Sequence, residues 1–349
     1  MTSLPPNVLQ RTFKMAATRD HRTALRLTLV CREAREWVEP ILYSAVKLSN
    51  EASVEILLNT MITSNKPQWF YADHVRSLVI TQKAHIPSLI QILLACPRIS
   101  HLTFWSIPEH GSPSSRSTVL LQSSPSGSGP RLYLSNRQAA TPMPVCHYDF
   151  PDDCFETIRP RFLTVSFRRH GLPQVISNPD FQRGFFAQVT HFSVLNSFEE
   201  WATWNHIHQL PSLTHLALDF NVAKARGLHY QHHVRQIAKC IQAILRKCLR
   251  LQALVILLLF DDQPQWTASE VIEAIKEAEE AESTVFPFHN PVRVVDPRLV
   301  WARKTNPFAG REAHSDSEQN MWCAAEHQVQ SQLQPSMAEV EGGPRVLEV

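Results

Sequence analysis

The chain has 349 residues, of which 44% are hydrophobic, enough for one large domain or two smaller ones around a sizeable core. A net charge of +2 excludes a global field aimed at nucleic acid or a membrane surface. Charge is uneven, with seven Lys/Arg against three Asp/Glu in residues 1–38 and seven against fourteen in residues 267–349, as on an ordinary solvated surface.

The first element opens at Leu4-Pro5-Pro6. Proline suits a first helical turn, because its missing N–H would be unpaired there anyway. Leu9 and Phe13 are four apart and share a face, with Val8 beside them. A second apolar block runs through Leu25, Leu27, Leu29-Val30-Cys31-Arg32 and Trp37 to Pro40-Ile41-Leu42-Tyr43. Two or three short helices cannot hide that much apolar surface alone, so the module must dock on the chain, on a partner, or on both.

The order Leu-Pro, then Leu9 and Phe13, then Leu29-Val30-Cys31-Arg32 resembles the F-box motif, most of all that of fungal F-box-like proteins. It covers residues 1–48 and departs from the usual motif at Asn7, Thr12 and Ala34. The resemblance implies a helical module that docks a Skp-family adaptor, and through it a cullin. It assigns that contact to Leu4, Pro5, Val8, Leu9, Phe13, Val30 and Cys31.

One pattern then recurs: apolar, two residues, apolar, one residue, apolar. It appears as Val75-x-x-Leu78-x-Ile80, Ile99-x-x-Leu102-x-Phe104, Val189-x-x-Phe192-x-Val194, Leu213-x-x-Leu216-x-Leu218 and Leu251-x-x-Leu254-x-Ile256. The closing alternation predicts a strand in each copy. Helices are expected between copies, at residues 87–95, at residues 198–209 behind Ser197-x-x-Glu200, and at residues 234–248. The last carries Val234, Ile237, Ala238, Ile241, Ile244, Leu245 and Cys248 on one stripe. Cys96-Pro97-x-Ile99 and Leu210-Pro211-x-Leu213 repeat one joint, where Pro ends a helix and a strand follows two residues later.

Strand–helix units at such spacing predict a leucine-rich-repeat-like solenoid, in which each unit buries its face on its neighbours. They resemble the degenerate repeats that follow an F-box in many fungal proteins, with most Asn or Cys ladder positions missing. The expected architecture is therefore α/β: a helical module (1–48), first strand–helix repeats (49–109), a Ser/Pro/Gly-rich loop (110–145), continued repeats and a C-terminal cap (146–330), and a tail (331–349). Composition predicts disorder for the loop, and the tail is expected to be unstructured. A strand is expected at residues 161–167, a helix behind Thr267-x-x-Glu270, and a short strand at Val292-Arg293-Val294-Val295. Trp322 and Val329, seven apart, are expected to pack a last helix as the end cap.

Chemistry is sparse. Nine glycines build neither G-x-G-x-x-G nor a P-loop, and no G-x-S-x-G elbow occurs. His229 and His233 are four apart but lack an H-E-x-x-H frame, so they read as a polar helix start. Cys146-His147 with Asp149, Asp152, Asp153 and Cys154 fits no zinc spacing. Arg159, Arg161, Arg168 and Arg169 near Phe162 and Phe167 read as basic flanks of a strand, since alternation sends the two rings to opposite faces. Seven cysteines without C-x-x-C suggest reduced thiols of a cytoplasmic or nuclear protein, with no signal peptide at the start. The longest apolar run, Ala253 to Phe260, is far short of the roughly 20 residues of a membrane helix.

The function these readings imply is that of a non-enzymatic substrate receptor for a cullin–RING ubiquitin ligase. No catalytic residue, cofactor, metal, nucleic acid or membrane is expected, and the target protein is unknown. A scaffold whose N-terminal helices merely cap the repeats is the alternative.

Overall fold

A computed structural model describes residues 4–67, 69–80, 86–104, 157–167, 179–204, 206–222, 230–260, 267–285, 296–304, 315–333 and 346–348. The expected loop at 110–145, the candidate cluster at 146–154, Arg168, Arg169, His229 and the expected strand at 292–295 lie outside these residues.

Three helices open the chain: α1 (Pro6–Arg19), α2 (His21–Leu27) and α3 (Arg32–Leu42). Asp20 separates the first two and caps α2, its carboxylate accepting from Arg22 N at 3.2 Å and Thr23 N at 2.8 Å. Cys31 caps α3, its Sγ accepting from Ala34 N at 3.4 Å. The three helices share a small core of Ala17, Ala24 and Val38, with Phe13, Leu27, Ile41 and Leu42 packed on it.

The other described residues build one open sheet of nine parallel strands in sequence order: β1 (Ala45–Leu48), β2 (Ser77–Ile80), β3 (His101–Phe104), β4 (Phe162–Val165), β5 (His191–Val194), β6 (His215–Asn221), β7 (Ala253–Leu259), β8 (Leu299–Lys304) and β9 (Val346–Glu348). Among the described residues seven helices accompany it: α4 (Glu51–Thr63), α5 (Trp69–His74), α6 (Ile86–Ala95), α7 (Phe198–Trp201), α8 (Tyr230–Lys247), α9 (Ala268–Val285) and α10 (Ser315–Leu333).

Strand starts are in register, Ala45–Ser77–His101–Phe162–His191–His215–Ala253. One backbone joint recurs between them. The carbonyl just before a strand accepts the N–H groups of the next strand's first residue and of the residue before it: Ser44 from Arg76 and Ser77, Arg76 from Ser100 and His101, Arg161 from Thr190 and His191, Thr190 from Thr214 and His215. Each unit is thus pinned to its predecessor before its own strand starts.

In β8 the first and third residues, Leu299 and Trp301, point into the main core, whereas in β1–β7 the second and fourth do so, as in Leu78, Leu102, Leu163, Phe192, Leu216 and Leu254, all essentially fully buried. These are the recurring apolar positions of the sequence pattern. Ile99 and Leu213 are buried in the turn, and the paired strand begins two residues beyond them. The α8 stripe and Val271, Ile272 and Ile275 of α9 close the same core. Thr267 and Glu270 form the expected capping box: Thr267 N donates to Glu270 Oε2 at 2.7 Å, and Glu270 N donates to Thr267 Oγ1 at 3.2 Å.

Several expectations are corrected. The first strand, β1, lies inside residues 1–48, so sheet pairing starts almost directly after α3. The helix expected over 198–209 is one turn at Phe198–Trp201 and a 3₁₀ turn at Ile207–Gln209. Residues 346–348 of the expected tail pair with β8 as β9. Finally, α10 does not cover an end. Its Met321, Trp322, Ala325 and Val329 pack on Ala217, Val255, Leu257, Val300 and Ala302, the sheet face opposite the main core.

Candidate functional site

Two surfaces carry chemistry that the fold itself does not need. The first is on the N-terminal helices. Leu4 is 59% exposed, Val8 43%, Leu29 78% and Val30 62%, and Met15 and Leu25 are also exposed. These six are half of the twelve large exposed hydrophobic residues in the described chain, gathered within its first 30 positions. Scattered single apolar residues are ordinary, whereas such a concentration calls for a partner. Pro5 and Cys31 are exposed as well, and Leu9 and Phe13 are half-buried. Phe13 packs 6.1 Å from the Trp37 ring and so also holds the module together.

The unusual motif positions are self-contained. Asn7 Oδ1 accepts from Val8 N at 2.9 Å, and Thr12 Oγ1 donates to Val8 O at 2.9 Å, so neither polar group requires a partner's help. Ala34 is wholly buried. The module is also fastened to the sheet. Glu39 of α3 pairs with Lys66, whose ammonium lies 5.1 Å from the centre of the Phe70 ring. Tyr43 meets Phe70 and Tyr71 edge-on at 5.6 and 5.4 Å.

The second surface is a ladder of rings at the strand starts, on the face that bears α10. His101, Phe162, His191 and His215 stack in order, with ring centres 4.3, 4.2 and 4.1 Å apart. Trp322 of α10 meets His191 and His215 edge-on at 5.4 and 5.7 Å. Each histidine follows a Ser or Thr. Ser100, Thr190 and Thr214 place a hydroxyl 3.0, 2.9 and 2.9 Å from the Nδ1 of the next residue. Those hydroxyls also donate to carbonyls of the previous unit: Ser100 to Arg76 at 3.2 Å, Thr190 to Arg161 at 3.1 Å, Thr214 to Thr190 at 3.1 Å. A hydroxyl has one proton. In the tautomer with hydrogen on Nδ1, the ring donates to the hydroxyl oxygen, the hydroxyl proton goes to the carbonyl, and Nε2 carries the lone pair.

Burial disfavours the charged form of these rings. It lowers His215, against the opposing pull of Glu326, and together with His215, Arg161 and His101 it depresses His191 to about 3. Burial, with Arg161 second, also lowers His101.

Other sequence candidates do not assemble. His233 of α8 lies against Phe198 at 6.3 Å, and its partner candidate His229 is outside the described residues. Phe162 sits in the ladder while Phe167 is in the core against Phe192 and Trp204, so the two rings occupy opposite faces. Five cysteines in the described residues are free thiols, and burial raises Cys96 to about 12 and Cys240 and Cys248 to about 11. Among the described residues no helix is long and apolar enough to cross a membrane.

Comparison with protein-family models, curated proteins and solved structures finds no match. The fold and site therefore define a class on geometry alone: an α/β chain with an open parallel sheet stacked in sequence order and an apolar helical module at its N-terminal edge.

Proposed function

We propose that this chain is a substrate-recognition subunit of a cullin–RING ubiquitin ligase, cytoplasmic or nuclear. Its F-box-like module, residues 1–48, docks a Skp-family adaptor, and its leucine-rich-repeat-like units hold a target protein. The observation that carries this reading is the concentration of exposed Leu4, Val8, Leu29 and Val30 on helices whose own core is only Ala17, Ala24 and Val38 at its centre. The sequential parallel sheet supports the second half, because stacked units present a long continuous surface for a protein ligand. Such a receptor needs no catalytic group. It supplies proximity, turning an encounter between ligase and target into an effectively intramolecular step.

A scaffold without a ligase role is the second reading, favoured by the contacts of Glu39 and Tyr43 with Lys66, Phe70 and Tyr71, which would let the module serve as a cap. The discriminating experiment is co-purification of a Skp-family adaptor with the full chain and with a Val8→Asp/Val30→Asp variant. Both positions are exposed, so the charges leave the fold intact. Adaptor retained by the parent and lost from the variant supports the receptor. Adaptor retained by neither, from folded protein, leaves the scaffold.

A further inference from the structure

We infer that His191, His215 and Glu326 form a binding site for one divalent transition-metal cation of the zinc class, which clamps α10 onto the sheet. One nitrogen of each ring and one carboxylate oxygen lie within 4.8 Å of one another, brought together from β5, β6 and α10.

The ring chemistry selects a cation. In their Nδ1–H tautomers the two rings donate to the Thr190 and Thr214 hydroxyls and present both Nε2 lone pairs, the arrangement in which histidine ligates metal while its other nitrogen is fixed by a neighbour. His215 Nε2 is buried and lies 3.1 Å from Glu326 Oε1, an ion pair when the ring is protonated. In the neutral Nδ1–H tautomer this sets a lone pair beside a carboxylate oxygen, and a shared cation turns both into ligands. The spacing suits it. Ligand bonds of about 2.0–2.2 Å place donor atoms of a tetrahedral site about 3.3 Å apart. His191, half-buried, stacks parallel on His215 with ring centres 4.1 Å apart, and metal binding requires it to tilt out of that stack. Two imidazoles and one carboxylate suit zinc and neighbouring transition ions, and leave a further position for water or a target side chain. Arg161 is the opposing charge acting on His191, and Glu326 is the attracting charge beside His215.

The test uses the full chain, purified without a histidine tag and stripped with chelator. It is titrated with Zn²⁺ by calorimetry and with Co²⁺ by visible absorption. The expected result is one equivalent bound, a Co²⁺ spectrum containing nitrogen ligands, and slower amide exchange across residues 315–333 on loading. Glu326→Gln and His191→Gln, both at accessible positions, are each expected to weaken binding by roughly tenfold or more. His232→Gln, on the exposed start of α8, is expected to leave it unchanged. Absence of a stoichiometric site, or affinity unmoved by both ligand variants, overturns the inference. Neither readout involves the adaptor, so this result and that of the ligase test stand apart.

Discussion

Replacing Trp322 by alanine should detach α10 from the sheet and leave the other end of the molecule undisturbed. Trp322 is 2% exposed and packs with Met321, Ala325 and Val329 against β6–β8. Truncating a buried aromatic of this size costs about 3–5 kcal/mol. Its indole N–H, however, has no acceptor among the described residues. Removing an unpaired buried donor returns about 1 kcal/mol of desolvation. A net loss of about 2–4 kcal/mol corresponds to roughly 30- to 700-fold more frequent opening of the helix. In a stack of units that contact only their neighbours, that loss stays local. Hydrogen exchange read by mass spectrometry resolves this. Residues 315–333 should exchange faster by that factor, residues 299–304 less so, and residues 6–42 not at all. Unchanged exchange in 315–333, or an equal loss along the chain, would refute the packing argument.

Two further expectations concern the joints between units. Asn196 is 1% exposed, accepts from Phe167 N at 2.8 Å and donates to Glu200 Oε2 at 2.8 Å, so it ties one unit to the previous one. Asn196→Ala should cost about 1–3 kcal/mol in thermal unfolding, and an unshifted melting temperature would show that the tie is dispensable. Asp296 illustrates acid sensitivity. Burial alone would raise its pKa, but Arg298, bonded through Nε at 2.8 Å and Nη2 at 2.6 Å, holds the carboxyl below its ordinary 3.8. A group with a lower pKa in the folded state contributes stability that is present above its unfolded value and is lost as pH falls through the folded one. Asp296→Asn should therefore destabilise at neutral pH, with the gap to the parent closing below about pH 4, as urea unfolding at several pH values would record.

Much of the architecture was readable because apolar spacing is imposed by burial. The anchors at 78, 102, 192, 216 and 254 are the residues that fill the core, and the Thr267–Glu270 cap stands where its spacing put it. β8 was hidden for the opposite reason. Trp301 faces the main core while Val300 and Ala302 lie under α10, so both faces are apolar and no alternation survives. The seven-residue interval from Trp322 to Val329 marks a buried helical stripe but says nothing of which surface it meets. The ring ladder was missed because its residues stand in the variable gaps between anchors. The available signal was the pair Ser100-His101, Thr190-His191 and Thr214-His215 at one place in three copies. It acquires meaning only once the register lays His191 beside His215.

The most direct test of the receptor account is calorimetric titration of the purified full chain with a purified Skp-family adaptor at several temperatures. The account predicts a one-to-one complex of micromolar or tighter affinity, with the negative heat-capacity change of apolar burial by residues such as Leu4, Val8 and Val30. No binding at about 100 μM adaptor, from a chain whose circular dichroism shows its helices intact, would contradict it.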